Sequence, residues 1–330
     1  MKHLFSVPEF NVFFLLILLF VTTPSHVIAD STAISGQKPD TVRYWKSSGR
    51  TSLNFNQNSF SNWAVGGENS ISGKANVDFK TRFEKNKISF EHNSKMAYGV
   101  VGYGFKRIEK TDDRLEASVS LSHKAIRKWT YTSLFSFKSQ FTDSYKYPND
   151  SVVLSSFLAP GYLNASIGFN YRPTEKFEVF VSPASGKFTI VTNQSLADKG
   201  AFGVQKAVYD SSGMLIREGA NLLCEFGINV LTKFTKDLTD NVELISSLNL
   251  YNNYLDDNRR NRWNIDLDWE TSFNFTISKY FQTVLFLHLK YDHDISIQHY
   301  EIVDGERIVT SEGPRLQFKE SIGIGLMYKI

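Results

Sequence analysis

The stretch Ser70-Ile71-Ser72-Gly73-Lys74-Ala75-Asn76-Val77-Asp78-Phe79-Lys80-Thr81-Arg82-Phe83 alternates without a break. Its odd positions hold Ile71, Ala75, Val77, Phe79 and Phe83, and its even positions hold Lys74, Asp78, Lys80 and Arg82. Successive Cβ atoms of a strand point to opposite faces, so this is a strand with one apolar and one charged face. The same pattern runs through Trp129, Tyr131, Phe135 and Phe137, and through Ile265, Leu267, Trp269, Phe273, Phe275 and Ile277.

Working outward from that stretch, the alternation places about twelve strands. They run over Arg50–Gln57, Ser70–Phe83, Ile88–Val101, Asp113–His123, Lys128–Phe141, Gly161–Arg172, Lys176–Ile190, Glu218–Phe234, Asn241–Asn252, Trp263–Ser278, Gln282–Asp292 and Arg315–Ile330. The connections switch between tight and long. Residues 84–87, 124–127, 173–175, 235–240 and 279–281 form the tight set, and 58–69, 102–112, 142–160, 191–217, 253–262 and 293–314 the long one. A soluble β-sandwich would share the alternation, but its strands are mostly about five or six residues long. Strand length and loop rhythm together predict an all-β, transmembrane, antiparallel up-and-down β-barrel. In that architecture the tight connections are periplasmic turns and the long ones extracellular loops. The last strand must then pair with the first, since an open edge is not tolerated in hydrocarbon.

Aromatic residues at strand ends fit girdles at the two membrane interfaces. Phe83, Trp129, Tyr171, Phe177, Phe234, Tyr280 and Tyr328 are expected at the periplasmic rim, and Tyr98, Phe141, Tyr251, Trp263 and Tyr291 at the other. Glu320 falls on the apolar parity of the last strand, which predicts a bulge near Lys319.

The N-terminus carries Lys2, an apolar run over Val12–Val21 and the small-residue exit Val27-Ile28-Ala29. That run is about half of the ~20 residues a spanning helix needs, so residues 1–29 read as a secretory signal peptide cleaved after Ala29. Residues 30–48 then form a periplasmic lead-in and 49–330 the barrel, in the outer membrane of a Gram-negative bacterium. The single cysteine, Cys224, excludes an internal disulfide framework. A net charge of +3, with basic and acidic residues interleaved, is too weak to argue for nucleic acid, and no nucleic-acid partner is expected.

The segment Asn54-Phe55-Asn56-Gln57-Asn58-Ser59-Phe60-Ser61-Asn62-Trp63-Ala64-Val65-Gly66-Gly67-Glu68-Asn69-Ser70 resembles the opening motif of a Bacteroidota outer-membrane family, domain of unknown function 3078. Gly200-Ala201-Phe202-Gly203 looks like a second landmark of that family. The resemblance runs from about Trp45 to the C-terminus. It implies an outer-membrane barrel and carries over no substrate and no catalytic residue.

Three groups carry chemistry. Lys74, Asp78, Lys80, Arg82, Glu91, Lys95, Asp266, Asp268, Glu270, His288, Lys290 and Asp292 fall on lumen-facing parity and are the candidate selectivity residues. The loop motif Asn62, Trp63, Gly66, Gly67, Glu68 and Asn69 sits at the extracellular mouth as a ligand site or a packed lid. His92 and Ser94 share the outward face, as in an outer-membrane phospholipase, but no Asn or Asp neighbours them to orient the imidazole. Asp292, His293, Asp294 and His299 read as a polar loop in place of a metal site. No catalytic residue, metal or cofactor is expected. The leading function is a non-enzymatic channel or solute-uptake barrel for small polar solutes, in contact with outer-membrane lipid and inserted by the barrel assembly machinery. The alternative is a closed barrel acting through its loops or periplasmic partners, and a phospholipase-like enzyme comes third.

Overall fold

Each alternating segment pairs with the next across a tight turn or a long loop, and the ring closes on itself. The computed structural model describes residues 44–58, 69–103, 107–147, 149–256, 258–303 and 306–329. The expected signal peptide and most of the lead-in lie outside these residues. Along the chain run β1 (Trp45–Asn58), β2 (Ser70–Lys85), β3 (Ile88–Tyr103), β4 (Arg107–Lys124), β5 (Trp129–Ser139), β6 (Ser144–Lys146), β7 (Asn149–Ser155), β8 (Gly161–Thr174) and β9 (Phe177–Ile190). A short helix α1 (Gln194–Asp198) precedes β10 (Val208–Tyr209), β11 (Leu215–Arg217), β12 (Leu222–Thr239) and β13 (Val242–Asn253). The last elements are β14 (Asp266–Thr276), β15 (Phe281–Tyr291), β16 (Ser296–Val303), β17 (Glu306–Pro314) and β18 (Gln317–Lys329).

Twelve of these strands form one closed antiparallel barrel in the order β1-β18-β15-β14-β13-β12-β9-β8-β5-β4-β3-β2. The remaining six make three hairpins, β6-β7, β10-β11 and β16-β17, each inside a long connection. Those long connections are therefore folded structures, which alternation alone did not reveal. The seam pairs Arg50 with Lys329 and Phe55 with Ile324.

Residues 45–48, expected in the lead-in, belong to β1. Trp45 pairs with Phe83 and Gly49 with Phe79, so β2 supplies the backbone partners that this segment needs. Similarly, β4 begins at Arg107, and the expected loop over 102–112 is largely strand.

Outside the ring stand Leu53, Phe55, Val77, Leu121, Phe135 and Ile167, all exposed. Inside stand the charges. An apolar exterior around a charged interior is the arrangement of a membrane-spanning barrel. At the rim of tight turns, aromatic rings stack in pairs: Trp45 on Phe83 at 4.9 Å between centroids, Trp129 on Tyr171 at 4.8 Å and Phe177 on Phe234 at 6.4 Å. Tyr251 departs from its expected place. It is 5% exposed and lines the lumen, because its parity is that of Asn249 and not of the outward Leu248 and Leu250.

The bulge expected near Lys319 does not occur. β15 and β18 pair without a shift from Phe281↔Leu326 to Lys290↔Gln317. Lys319 reaches Asp112 across the lumen at 3.6 Å, which turns Glu320 outward, where it is exposed between Phe318 and Ile322.

At the loop rim, residues 191–221 fold over part of the mouth around a small core of Ala159, Val191, Leu196, Ala197 and Val204. Asn193 caps α1 by accepting from the Leu196 amide. Asp198 accepts from Gln194 Nε2 at 2.7 Å and from the Gly219 amide at 2.8 Å. These two bonds, the Gln194 one first, hold its carboxyl below the usual carboxylate range.

The seam requires Gly325. A Cβ there would overlap the Leu53 carbonyl oxygen and the Asn54 amide of β1, whereas a Cβ at Gly313 in β17 meets nothing within 4 Å. We therefore expect Gly325→Val to lose the compact, heat-modifiable band on unboiled gels while Gly313→Ala refolds like the parent chain. Parental refolding of the Gly325 variant would show that the seam is not closed in this register.

Candidate lumen site

On β4, Arg114 and Glu116 alternate with Leu115 and Ala117, and on β5 Lys138 follows Phe137. Parity sends these charges inward, and the interior is narrow enough for them to reach the far wall. Arg114 Nη1 meets Glu270 Oε1 of β14 at 3.2 Å. Stepping around the ring through β13, β12, β9, β8 and β5, β14 and β4 are six places apart, so this ion pair crosses the lumen along a diameter. Lys138 Nζ meets Asp268 Oδ2 at 3.3 Å, and Arg50 of β1 meets Glu243 of β13 at 3.3 Å.

A second cluster lies toward the loop rim. Lys187 Nζ is held by Glu225 at 3.1 Å, Asp266 at 3.1 Å and Asp292 at 3.6 Å. Lys187, Asp266 and Asp292, with Tyr162, Tyr251 and Lys290, line a space of about 110 Å³. Lys290 sits over the Tyr162 ring at 5.3 Å. Isolated charges in such surroundings would cost several kcal/mol each, and mutual pairing offsets part of that cost.

The bridge from Arg114 to Glu270 splits the lumen into two compartments. One, of about 340 Å³, is lined by Lys80, Glu91, Glu116, Asn164 and Lys233 and extends to Glu175 and Lys176 at the turn rim. Its loop-rim end meets the Lys187 cluster. The other, of about 540 Å³, follows the wall of β1, β2, β18 and β15. It runs from Asn56 and Ser72 beside the loop rim, past Arg50, Lys74 and Asp78, to Gln282 beside the turn rim. Lys95 and Glu270 line both compartments.

The candidate selectivity residues are thus mostly held in ion pairs, more often with residues outside that set than within it. Lys74 pairs with Asp112, Lys80 with Glu91 at 3.1 Å, and Arg82 with Glu84 and Glu175 at 3.1 and 3.3 Å. Arg172 of β8 adds a contact to Glu91 at 3.6 Å. His288 Nε2 lies 2.8 Å from Asp268 Oδ1. Sequence reasoning missed Arg114, Glu116, Lys138, Lys187 and Glu225, although the outward residues Leu115, Ala117 and Val119 already placed the β4 charges on the inner face.

The outward pair is formed as well: Ser94 Oγ and His92 Nε2 are 2.7 Å apart. Ser94 is only 6% exposed, and Thr81 and Val119 flank His92 in register, so the nucleophile is covered and neither neighbour is a carboxylate or amide. The pair satisfies a polar group on an apolar wall. Of the loop motif, Asn62, Trp63, Gly66, Gly67 and Glu68 lie outside the described residues, and Asn69 is exposed just before β2. His299 falls on β16, while Asp292 turns to Lys187 and His293 to Tyr291.

A family model described as a protein of unknown function (DUF3078) matches residues 55–145, a narrower span than the motif resemblance suggested. No curated protein matches the chain. Among solved structures the chain is similar to an outer-membrane channel from Pseudomonas putida F1, at 9% identity and TM-score 0.37, over 89% of this chain and 100% of that one. It is also similar to the translocator domain of the autotransporter NalP from Neisseria meningitidis, at 11% identity and TM-score 0.30, over 86% of each chain. The toluene transporter TodX of P. putida matches at 8% identity and TM-score 0.28, over 86% of this chain and 89% of that one.

If the diametral bridge forms, Arg114→Ala and Glu270→Ala will not be additive. A double-mutant cycle read by denaturant unfolding in micelles should return a coupling of about 1–3 kcal/mol. Additivity within error would mean that the two walls do not touch.

Proposed function

We propose that the protein is an outer-membrane barrel that passes small polar solutes without enzymatic chemistry. The observation that supports this reading is the compartment of about 540 Å³ running beside the bridge from one rim to the other. Its lining sets polar side chains, among them Asn54, Asn76 and Ser247, between apolar ones such as Met96, Val284 and Phe286, so a solute meets hydrogen-bonding groups along part of the wall. Arg50, Lys74 and Lys95 face Asp78 and Glu270 there, so the field is mixed and selectivity between ions is weak. Export behind a signal peptide cleaved after Ala29, insertion by the barrel assembly machinery and a Bacteroidota origin belong to the same proposal. A second reading is favoured by the cross-lumen ion pairs themselves: a closed barrel that acts through its loops and partners.

Single-channel recording in a planar bilayer over a salt series separates the two. The channel reading expects small discrete steps that scale with salt. Arg114→Ala should raise them by less than about twofold, since the compartment it joins is the smaller one. Asp78→Asn should move the reversal potential toward anions. A correctly folded barrel that stays silent, with Arg114→Ala silent too, would leave the closed reading standing.

A further inference from the structure

We infer that Asp268, Glu270 and His288 form a binding site for a divalent transition-metal ion, and that its occupancy releases the bonds that bridge the lumen. Asp268 and Glu270 are two residues apart on β14 and share its inner face. His288 is the register partner of Glu270 on β15, so all three donors stand on paired strands and not on a loop. One ligand atom from each lies within 4.8 Å of the others. An imidazole nitrogen with two carboxylate oxygens is a donor set for zinc-class ions, bound at about 2.0–2.2 Å. Small side-chain rotations on a rigid sheet bring three such atoms onto one ion.

The two carboxylates are now engaged by cations from the opposite wall, and His288 Nε2 by Asp268 Oδ1 at 2.8 Å. Arg114 holds Glu270 at 3.2 Å and Lys138 holds Asp268 at 3.3 Å. A carboxylate that binds a divalent ion gives up most of its attraction for an ammonium or guanidinium, so metal and bridge compete. The displaced cations have a partner on their own side. Glu116 Oε1 lies 3.9 Å from Arg114 Nε and 3.8 Å from Lys138 Nζ, beyond hydrogen-bond distance but within reach of a short swing. Two arrangements therefore exist for the same charges: bridged to β14, or withdrawn onto Glu116 with the ion held by β14 and β15. The ion shifts the population between them by its differential affinity. Withdrawal joins the two compartments that Arg114 and Glu270 now divide. This last consequence rests on the channel reading; the metal site and the competition do not.

Zinc chloride titrated calorimetrically into the refolded protein in detergent micelles tests the site. One zinc per barrel is expected, with affinity falling about tenfold or more in His288→Ala and in Asp268→Asn, both still heat-modifiable. Affinity unchanged in both variants would place the zinc on other histidines and overturn the site. Competition has its own readout. Arg114→Ala should bind zinc more tightly than the parent, and an unchanged or weaker affinity would overturn the release. Bilayer currents taken in parallel should rise with zinc in the parent and not in His288→Ala; zinc bound with currents unchanged or reduced would again count against the release. A barrel that never conducts removes the channel reading, while the titrations still decide the metal site and the competition.

Discussion

Everything in this molecule depends on closing a ring of backbone hydrogen bonds. A strand in hydrocarbon has no water to satisfy its amides, so each barrel strand needs a neighbour on both sides, including β1 and β18. The seam between them sets the geometry of the rest. Pairing fixes which strands are opposite one another and hence which inward charges meet. It also fixes Glu320 outward among apolar neighbours, because slipping the strand to hide one carboxylate would turn every other side chain of β18 the wrong way.

Closure at twelve strands leaves an interior of intermediate width. Narrower barrels fill with side chains from a single layer, and much wider ones leave an aqueous channel. Here long side chains from opposing walls just span the gap, and they do so as oppositely charged pairs. The interior is polar enough to hold water and solutes, yet it is crossed at mid-height. A solute that fits beside the bridge needs no rearrangement; one that needs the full bore requires the charges to find other partners.

Much of this was legible in the alternation. All twelve barrel strands overlap their expected positions, with β1 and β4 starting five and six residues early, since parity and turn chemistry are local properties of the chain. What was not legible depends on three-dimensional closure. The sequence alone does not tell that Arg114 reaches Glu270, because that contact is set by ring order and diameter. Tyr251 was placed in a girdle from its position at a strand end, although its parity already pointed inward. The β10-β11 hairpin escaped because its strands, Val208–Tyr209 and Leu215–Arg217, are too short to show a period. By contrast β16 and β17, at 8 and 9 residues, are long enough to show one, yet both fall inside an expected loop.

The bridging pairs also bear on how the chain reaches its final state. Arg114 and Glu270 are 156 residues apart, Lys138 and Asp268 130, and Arg50 and Glu243 193. None of these can form while only the N-terminal hairpins have been laid down. A half-built sheet therefore carries a row of solvated charges on one face, and their desolvation is deferred until the C-terminal strands curl over to meet them. High contact order of this kind slows assembly and makes its last step steeply cooperative. The interior thus acts as a checkpoint, holding partly assembled sheets open and wet until a complete set of strands is present.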